Sequence, residues 1–398
     1  MGLVVLFGYY FDQVYLPAQP NPFEATPTPT RSPESFVTEA QELFTQGKLL
    51  QTIDAYQSAI NASPQNPALY IAMARVQVLA GKPQEAQANA ENAILLNPEN
   101  SMAHAVRAWA LDFQDGKNGD ALDEIDKAIE YDDHNALAHA YRVEILVDSD
   151  SADNIVKAIE ESKVALALDP NAMETHRARG YLYSATGNYV EAIGEYQQAI
   201  AINPNISILH IELGKNYRIV QVYDKAVDEF IRANTLNPSD SEPDFLISRT
   251  YATMGDYTKA LQYAETAIKD KPTDAKLRGN YGVMYYRNYE YQKALAQLSL
   301  AVHGGRNEAG LEIMGLPLTN DSRIAEYYFT YGLALARLNQ CGEALQIAQE
   351  LQTKFSADET TMEAASRIIE ICQENLNNPA VDTPVPSEIE TLTPTATP

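Results

Sequence analysis

Four of the six histidines recur at one position of a sequence repeat, a pattern that would suit a metal-binding or pH-sensing ladder. They are His104, His139, His176 and His210. A zinc ion needs ligand nitrogens at roughly 2.0–2.1 Å, whereas stacked helices lie about 8–10 Å apart. Because equivalent positions of neighbouring repeats are poorly placed to share one ion, these histidines are interpreted as helix-packing residues, and no metal site is predicted.

No other grouping of residues in the sequence indicates catalysis. Gly304 and Gly305, followed by Gly310, lack the Lys-Ser/Thr pair of a phosphate-binding loop. The sequence contains no Gly-x-Ser-x-Gly elbow, no zinc-protease motif and no paired-cysteine metal site. We therefore expect a protein without enzyme activity or cofactor. An enzyme that uses the segment 304–322 is the least favoured alternative.

The elements that must position these residues follow a fixed period. Pro170, Pro204, Pro238 and Pro272 stand 34 residues apart. A fixed period of this length predicts stacked helix–turn–helix units. Small residues at fixed positions predict close contacts between helix backbones. Alanines stand twelve and five residues before each proline: Ala158, Ala192, Ala226, Ala260, Ala165, Ala199, Ala233 and Ala267.

One segment carries nearly every position of this pattern. Residues Gly180–Pro204 read GYLYSATGNYVEAIGEYQQAIAINP, with glycine, tyrosine, alanine, an aromatic residue, alanine and proline in order. The pattern resembles the tetratricopeptide repeat, over roughly Pro33 to Asn375. The resemblance implies an all-α, right-handed superhelical solenoid of about nine helix–turn–helix repeats. A C-terminal amphipathic helix, Met362–Asn375, is expected to cap it with Ile368, Ile369 and Cys372.

The chain divides into four parts on this interpretation. An apolar segment (1–16) is followed by a Pro/Thr-rich linker (17–33), the solenoid (34–375) and a Pro/Thr-rich C-terminal tail (376–398). The tail is expected to be disordered. The repeats are interrupted by an insertion at 304–322, which is either a packed loop or a partner contact. The third repeat gains one residue at Gln114–Asp120, and the fourth gains three at Asp148–Asn154.

The ends of the chain bear on its location. The apolar run Gly2–Phe11 is shorter than the roughly 20 residues of a membrane span, and the first basic residue is Arg31, too late for a secretory signal. The run is either part of a membrane anchor whose opening residues are missing from this sequence, or a disordered apolar tail, or an edge that packs on the first repeat. Thr-Pro runs are typical of exported proteins. We expect a membrane-anchored or exported, extracytoplasmic protein; a cytoplasmic location is the alternative.

The two cysteines are expected at the same rim of the array. Cys341 falls in the turn of the last repeat, and Cys372 falls late in the capping helix. The sequence is consistent with a disulfide between them and equally with two buried thiols.

Charge limits the partners. The net charge is −25, from 29 basic and 54 acidic residues, so the phosphates of nucleic acids would be repelled. The resemblance implies a concave groove lined by the first helix of each repeat. In repeats five to eight the groove positions are mostly basic or aromatic, which suits an acidic peptide or protein segment. These residues are Arg177, Tyr181, Lys215, Arg218, Arg249, Lys276, Tyr286 and Arg287.

Repeats two to four place apolar residues at the same groove positions: Ile71, Val78, Trp109, Phe113 and Val147. We expect a second, apolar contact there or a seat for a tail of the chain itself. The function expected from the resemblance is a non-catalytic protein–protein interaction scaffold or adaptor. The alternative is a self-assembling structural component of the cell envelope. The identity of the partner and the oligomeric state do not follow from the sequence.

Overall fold

The computed structural model describes residues 31–149 and 151–377. The chain forms two compact units, Met1–Pro170 and Asn171–Pro398, called here unit one and unit two. The apolar segment 1–16, the linker up to residue 30 and the tail from residue 378 lie outside the described residues, and so does the expected membrane anchor. None of the described helices is long and apolar enough to cross a membrane.

The described part of unit one consists of helices that pack in consecutive pairs. They are α1 (Pro33–Thr45), α2 (Leu49–Ala62), α3 (Pro67–Leu79), α4 (Pro83–Leu96), α5 (Ser101–Asp112), α6 (Asn118–Tyr131), α7 (Ala136–Asp148) and α8 (Ala152–Leu168).

Unit two continues the pairing and adds one hairpin. Its described elements are α9 (Met173–Ala185), α10 (Tyr189–Ile202), α11 (Ser207–Ile219), α12 (Tyr223–Leu236), α13 (Ser241–Met254), α14 (Tyr257–Asp270), α15 (Ala275–Arg287), α16 (Tyr291–His303), β1 (Gly304–Arg306), β2 (Glu312–Met314), α17 (Ser322–Arg337), α18 (Cys341–Lys354) and α19 (Glu359–Asn377). The predicted all-α class is confirmed; the hairpin is a local exception inside the insertion.

Short polar side chains fix where many of the first helices of the pairs begin. The Asn100 carboxamide oxygen accepts a hydrogen bond from the Ala103 amide at 3.0 Å, and the Asp274 carboxylate accepts one from the Lys276 amide at 2.8 Å. Such caps satisfy amide groups that have no partner inside the helix. Asn66, Asn135, Asp240 and Asp321 act in the same way.

The two helices of a pair touch through small residues, as the period predicts. A methyl group at Gly214 would lie 2.5 Å from the ring of Phe230, and one at Gly282 would lie 2.5 Å from Leu298. Glycine on the first helix therefore lets the large residue of the second helix approach its backbone. All eight of the recurring alanines are fully or almost fully buried. The predicted close backbone contacts are present.

In four repeats, a glutamate on the second helix contacts the recurring histidine on the first helix. The Nδ1 atoms lie 2.5–2.7 Å from carboxylate oxygens in the pairs His104–Glu124, His139–Glu161, His176–Glu195 and His210–Glu229. The Nε2 atom of His104 also lies 2.8 Å from the Pro98 carbonyl oxygen. These histidines join the two helices of one repeat, which accords with a packing role.

The apolar groove residues expected in repeats two to four belong largely to the core of unit one. Ile71, Val78 and Trp109 are buried, and the indole of Trp109 stacks on the Tyr141 ring at 4.5 Å. The expectation of an exposed apolar contact is therefore wrong for these three residues. The reason is that α3 packs directly against α5, and α5 against α7, which covers the face that the repeat pattern assigns to the groove.

The insertion at 304–322 contains a two-stranded hairpin and a connecting segment that leads to α17. β1 and β2 pair antiparallel, with Gly305 opposite Ile313. Ile313 and Leu318 are buried, and the Leu316 amide donates to the Ala301 carbonyl at 2.8 Å. Most other residues of the segment are exposed, among them Leu311 and Met314, so the alternative of a partner contact stays a prediction.

The three extra residues of repeat four lengthen a helix rather than the turn. Helix α8 has 17 residues where α10 has 14, whereas the links before them, 149–151 and 186–188, are equally short.

The capping helix is present as α19. Ile368 and Cys372 are buried, and Ile369 packs at the edge of the same core. In the structure Cys341 and Cys372 form a disulfide that joins the start of α18 to α19, with their Cα atoms 5.5 Å apart.

Candidate functional site

The first helices of unit two, α9, α11, α13 and α15, carry the eight residues expected to contact a partner. They differ in how much surface they offer. Arg177 on α9 is only 6% exposed, and Tyr181 is half-buried. Both side chains already interact with other residues. This end of the predicted site therefore offers little free surface.

The lysines and the tyrosine near the middle of the face are partly engaged. The Lys215 ammonium lies 3.0 Å from Glu212 and 3.8 Å from Glu242. Lys276, on the first turn of α15, is exposed. Burial raises the pKa of Tyr286, although the charge of Arg337 partly opposes the shift. Of these, Lys276 is the most available to a ligand.

Two of the predicted arginines share one carboxylate. Arg249 on α13 pairs with Glu326 at 2.6 Å, and Arg287 on α15 lies 3.6 Å from the same carboxylate. Glu326 belongs to α17, so this helix contributes a carboxylate to the face formed by α13 and α15. The sequence positions of Arg249 and Glu326 differ by 77 residues, and the period alone does not bring them together.

Arg218 on α11 lacks such a partner. Its Nε atom is buried without a hydrogen-bond acceptor, and within the described ranges no ion pair joins its guanidinium to a carboxylate. Burial lowers the pKa of Arg218, and the charges of Arg249 and Arg323 lower it further. Arginine stays protonated at neutral pH, so Arg218 is a partly buried positive charge with the positive charges of Arg249 and Arg323 nearby.

Arg323 completes the group and was missed by the sequence reasoning. Its guanidinium lies over the Phe245 ring, 5.0 Å from the centroid, and it too has no ion pair among the described residues. Helix α15 begins seven residues before Gly282 (282 − 275), whereas α17 begins ten before Gly332 (332 − 322). The additional turn brings Arg323 into the face. Arg218, Arg249, Arg287 and Arg323 are called the arginine cluster below.

A cleft of about 400 Å³ opens beside Arg323, between α13, α15 and the start of α17. Its acidic groups are occupied: Asp274 and Asp321 cap helices, and Glu242 faces Lys215. Phe245, Leu277, Ile324 and Tyr327 form its apolar wall, and Lys271, Lys276 and Arg323 supply its positive charge. We call it the α13–α17 cleft. Its lining suits an anionic group that carries a short apolar side chain beside it.

Paired helices at a fixed period define a helical repeat protein, and in unit two the first helices of successive pairs carry the basic residues described above. Family models give the particular family. Residues 43–110, 173–206 and 245–309 each match a tetratricopeptide repeat model. The chain belongs to the tetratricopeptide repeat family, as its sequence pattern indicates.

Solved structures give weaker similarities. A tetratricopeptide repeat protein from Parabacteroides merdae is 16% identical, with a TM-score of 0.42, over 63% of this chain and 98% of that one. PilF of Pseudomonas aeruginosa is 16% identical, with a TM-score of 0.46, over 57% of this chain and 97% of that one. MamA is 24% identical, with a TM-score of 0.33, over 36% of this chain and 89% of that one. No curated protein matches the chain significantly. The family assignment rests on the three repeat matches.

Proposed function

We propose that this chain is a non-catalytic scaffold that binds an acidic segment of a partner protein at the arginine cluster and the α13–α17 cleft. Tetratricopeptide repeat arrays are in general protein–protein interaction scaffolds and are usually non-catalytic. The observation that carries the finer proposal is that Arg218 and Arg323 have no carboxylate partner among the described residues.

The charge balance supports an acidic ligand. Within the arginine cluster, Arg249 and Arg287 share the carboxylate of Glu326, whereas Arg218 and Arg323 have no ion pair among the described residues. A partly buried positive charge is costly without a counter-charge. A carboxylate arriving on a ligand therefore gains more from Arg218 and Arg323 than it would from arginines that are already paired.

The surroundings also favour a polypeptide segment. Arginine and aromatic side chains are the residues that most often dominate binding energy at protein interfaces. The Arg323 guanidinium lies over the Phe245 ring, and Tyr327 forms part of the cleft lining. These contacts restrict the guanidinium before a ligand arrives, so less side-chain entropy is lost on binding.

Fluorescence anisotropy with a defined probe tests the proposal. The probe is a labelled synthetic peptide with four consecutive glutamates between Gly-Ser spacers, and its glutamine counterpart is the uncharged control. We expect the full-length chain to bind the glutamate peptide. The double variant Arg218→Gln/Arg323→Gln should bind at least about tenfold more weakly, because charge-assisted hydrogen bonds are lost.

Arg306→Gln is the matched control, since it removes one exposed positive charge from the hairpin. It should bind as the wild type does, and circular dichroism should show that all variants are folded. Equal affinity of the wild type and the double variant would place the binding site elsewhere.

We also propose an extracytoplasmic location. The disulfide between Cys341 and Cys372 supports it, because such bonds persist mainly in oxidising compartments. The test is to alkylate free thiols at the moment of cell lysis and to measure the mass of the unreduced protein. Addition of two alkyl groups would contradict the proposed location.

A further inference from the structure

The acidic residues of the C-terminal tail (376–398) complement the arginine cluster. The tail contains Asp382, Glu388 and Glu390 and no lysine or arginine. Glu388 and Glu390 flank Ile389. In an extended chain, residues two apart point to the same side, roughly 6.5 Å from each other. An extended conformation of this segment would place both carboxylates on one side, and the arginine cluster contains two guanidinium groups that have no ion pair among the described residues.

The tail starts close enough to reach this site. The Asn375 side chain donates to the Ala336 carbonyl at 2.8 Å, so α19 ends beside the end of α17. Arg323 lies at the other end of α17, 13 residues earlier (336 − 323), or about 20 Å along a helix. Glu388 follows Asn377 by 11 residues (388 − 377), which span about 34 Å as an extended Pro-rich chain.

We propose that the tail segment around Glu388-Ile389-Glu390 occupies the α13–α17 cleft of its own chain and competes with the acidic segment of a partner. This inference rests on the proposed function for the competing ligand but names a different occupant. The two glutamates pair with Arg218 and Arg323, and Ile389 contacts the apolar wall formed by Phe245, Leu277 and Ile324. Because the tail is tethered, it acts at an effective concentration in the millimolar range.

The first experiment detects the tail in the cleft without any partner. The photo-crosslinking residue p-benzoylphenylalanine replaces Ile389 in the full-length chain, which is irradiated at about 1 µM, where collisions between molecules are rare. We expect cross-links within one molecule to peptides that contain Phe245 or Arg323, identified by mass spectrometry. Adding Arg218→Gln and Arg323→Gln should reduce their yield strongly. Cross-links to other surfaces only, or an unchanged yield in the variant, would overturn the proposal.

The second experiment measures the competition. Glu388→Gln/Glu390→Gln removes both carboxylates from the tail, whereas Asp382→Asn is the matched control outside the proposed contact. We expect the double variant to bind the labelled glutamate peptide about tenfold more tightly than the wild type, and the control to bind as the wild type does.

The outcomes separate the two proposals. If the peptide binds the wild type and the tail variant equally, the tail does not occupy the site, but the proposed function stands. If the peptide binds neither protein while the cross-links form, the cleft belongs to the tail and the proposed partner binding fails.

Discussion

Three of the four recurring histidines, His104, His139 and His210, have a hydrogen-bond acceptor at each ring nitrogen. Around His104 these are the Glu124 carboxylate and the Pro98 carbonyl, with Arg107 and Lys127 also close to Glu124. Neither acceptor can donate, so both ring nitrogens must carry a hydrogen, which is the charged imidazolium form. Burial lowers the pKa of His104, but its hydrogen bonds outweigh burial and the pKa is raised. The same holds for His139, where Glu161 and the Asp133 carbonyl are the acceptors.

These histidines should make unit one less stable as the pH rises. A pKa raised in the folded state contributes stability that is complete below the unfolded value near 6.5 and is lost as the pH rises through the folded value. We expect the urea midpoint of the wild type to fall between pH 5.5 and pH 8.5. The variant His104→Gln/His139→Gln should show a smaller fall. An equal fall in both proteins would show that other groups cause the pH dependence.

Asp244 stands one period after His210, and its pKa is also raised, but by burial rather than by hydrogen bonds to acceptors. It is almost fully buried; Asn234 donates to its Oδ1 atom at 3.0 Å, while its Oδ2 atom has no hydrogen-bond partner in the described part of the chain. Burial, reinforced by the charge of Asp270, raises the pKa of Asp244 to about 6. Since the folded pKa exceeds the unfolded one, the folded state gains stability as the pH falls through 6 and is destabilised above it.

Asp244→Asn should therefore stabilise the protein at pH 7, by about 1–2 kcal/mol, because it removes a buried charge and keeps the shape of the side chain. The gain should shrink at pH 4.5, where Asp244 is itself protonated. Chemical denaturation at the two pH values measures both effects. Asp228→Asn on the exposed face of α12 is the control and should change little. A variant less stable than the wild type at pH 7 would contradict this account.

Among the elements, those that repeat were predictable from the sequence, whereas departures from the period were not. The buried alanines, the glycines that face large residues, and α19 all follow from spacing and apolar pattern. The extra turn of α17, which brings Arg323 to the face, does not follow from the period, because the helix begins at the Asp321 cap, ten residues before Gly332, and not at the seven-residue distance seen in α15. Glu326 would have been found by extending the groove positions into the ninth repeat.

A recurring lysine also follows the repeat period, but the sequence interpretation did not assign it a contact. Lys225, Lys259 and Lys293 each follow a recurring tyrosine by eight residues (225 − 217, 259 − 251, 293 − 285). Their ammonium groups lie 4.8–5.4 Å from the ring centroids of Tyr217, Tyr251 and Tyr285. The eight-residue spacing therefore indicates a cation–π contact between the two helices of a pair. Composition and hydrophobicity do not show this contact.

The disulfide between α18 and α19 should stabilise the capping helix. It links residues 31 positions apart, for which the chain-entropy model predicts that the folded state is stabilised by about 3–4 kcal/mol. Cys341→Ser/Cys372→Ser should lower the stability of unit two by up to that amount and speed amide exchange in α19. Hydrogen exchange at matched pH measures the local effect, and α11 of the same unit serves as the internal reference. Unchanged exchange in α19 would show that packing alone holds the cap.

On the scale of the whole molecule, the net negative charge of the chain repels the proposed acidic ligand. The chain carries −25, whereas the arginine cluster is a local positive region. Electrostatic interactions act over about 30 Å at 0.01 M salt but only about 8 Å at 0.15 M. At low salt an approaching acidic peptide therefore meets the repulsion of much of the chain. At physiological salt it meets mainly the charges nearest the cleft.

The association rate of the acidic peptide should consequently rise with salt, opposite to the behaviour of acidic ligands at basic proteins. Stopped-flow measurements between 0.01 and 0.15 M salt should show a rise of several-fold for the glutamate peptide. Its glutamine counterpart should show no comparable trend. The dissociation rate should also increase with salt, but less steeply, because partly buried ion pairs are screened less than exposed ones. An association rate that falls as salt increases would show that the local field of the arginine cluster outweighs the charge of the whole chain, even at long range.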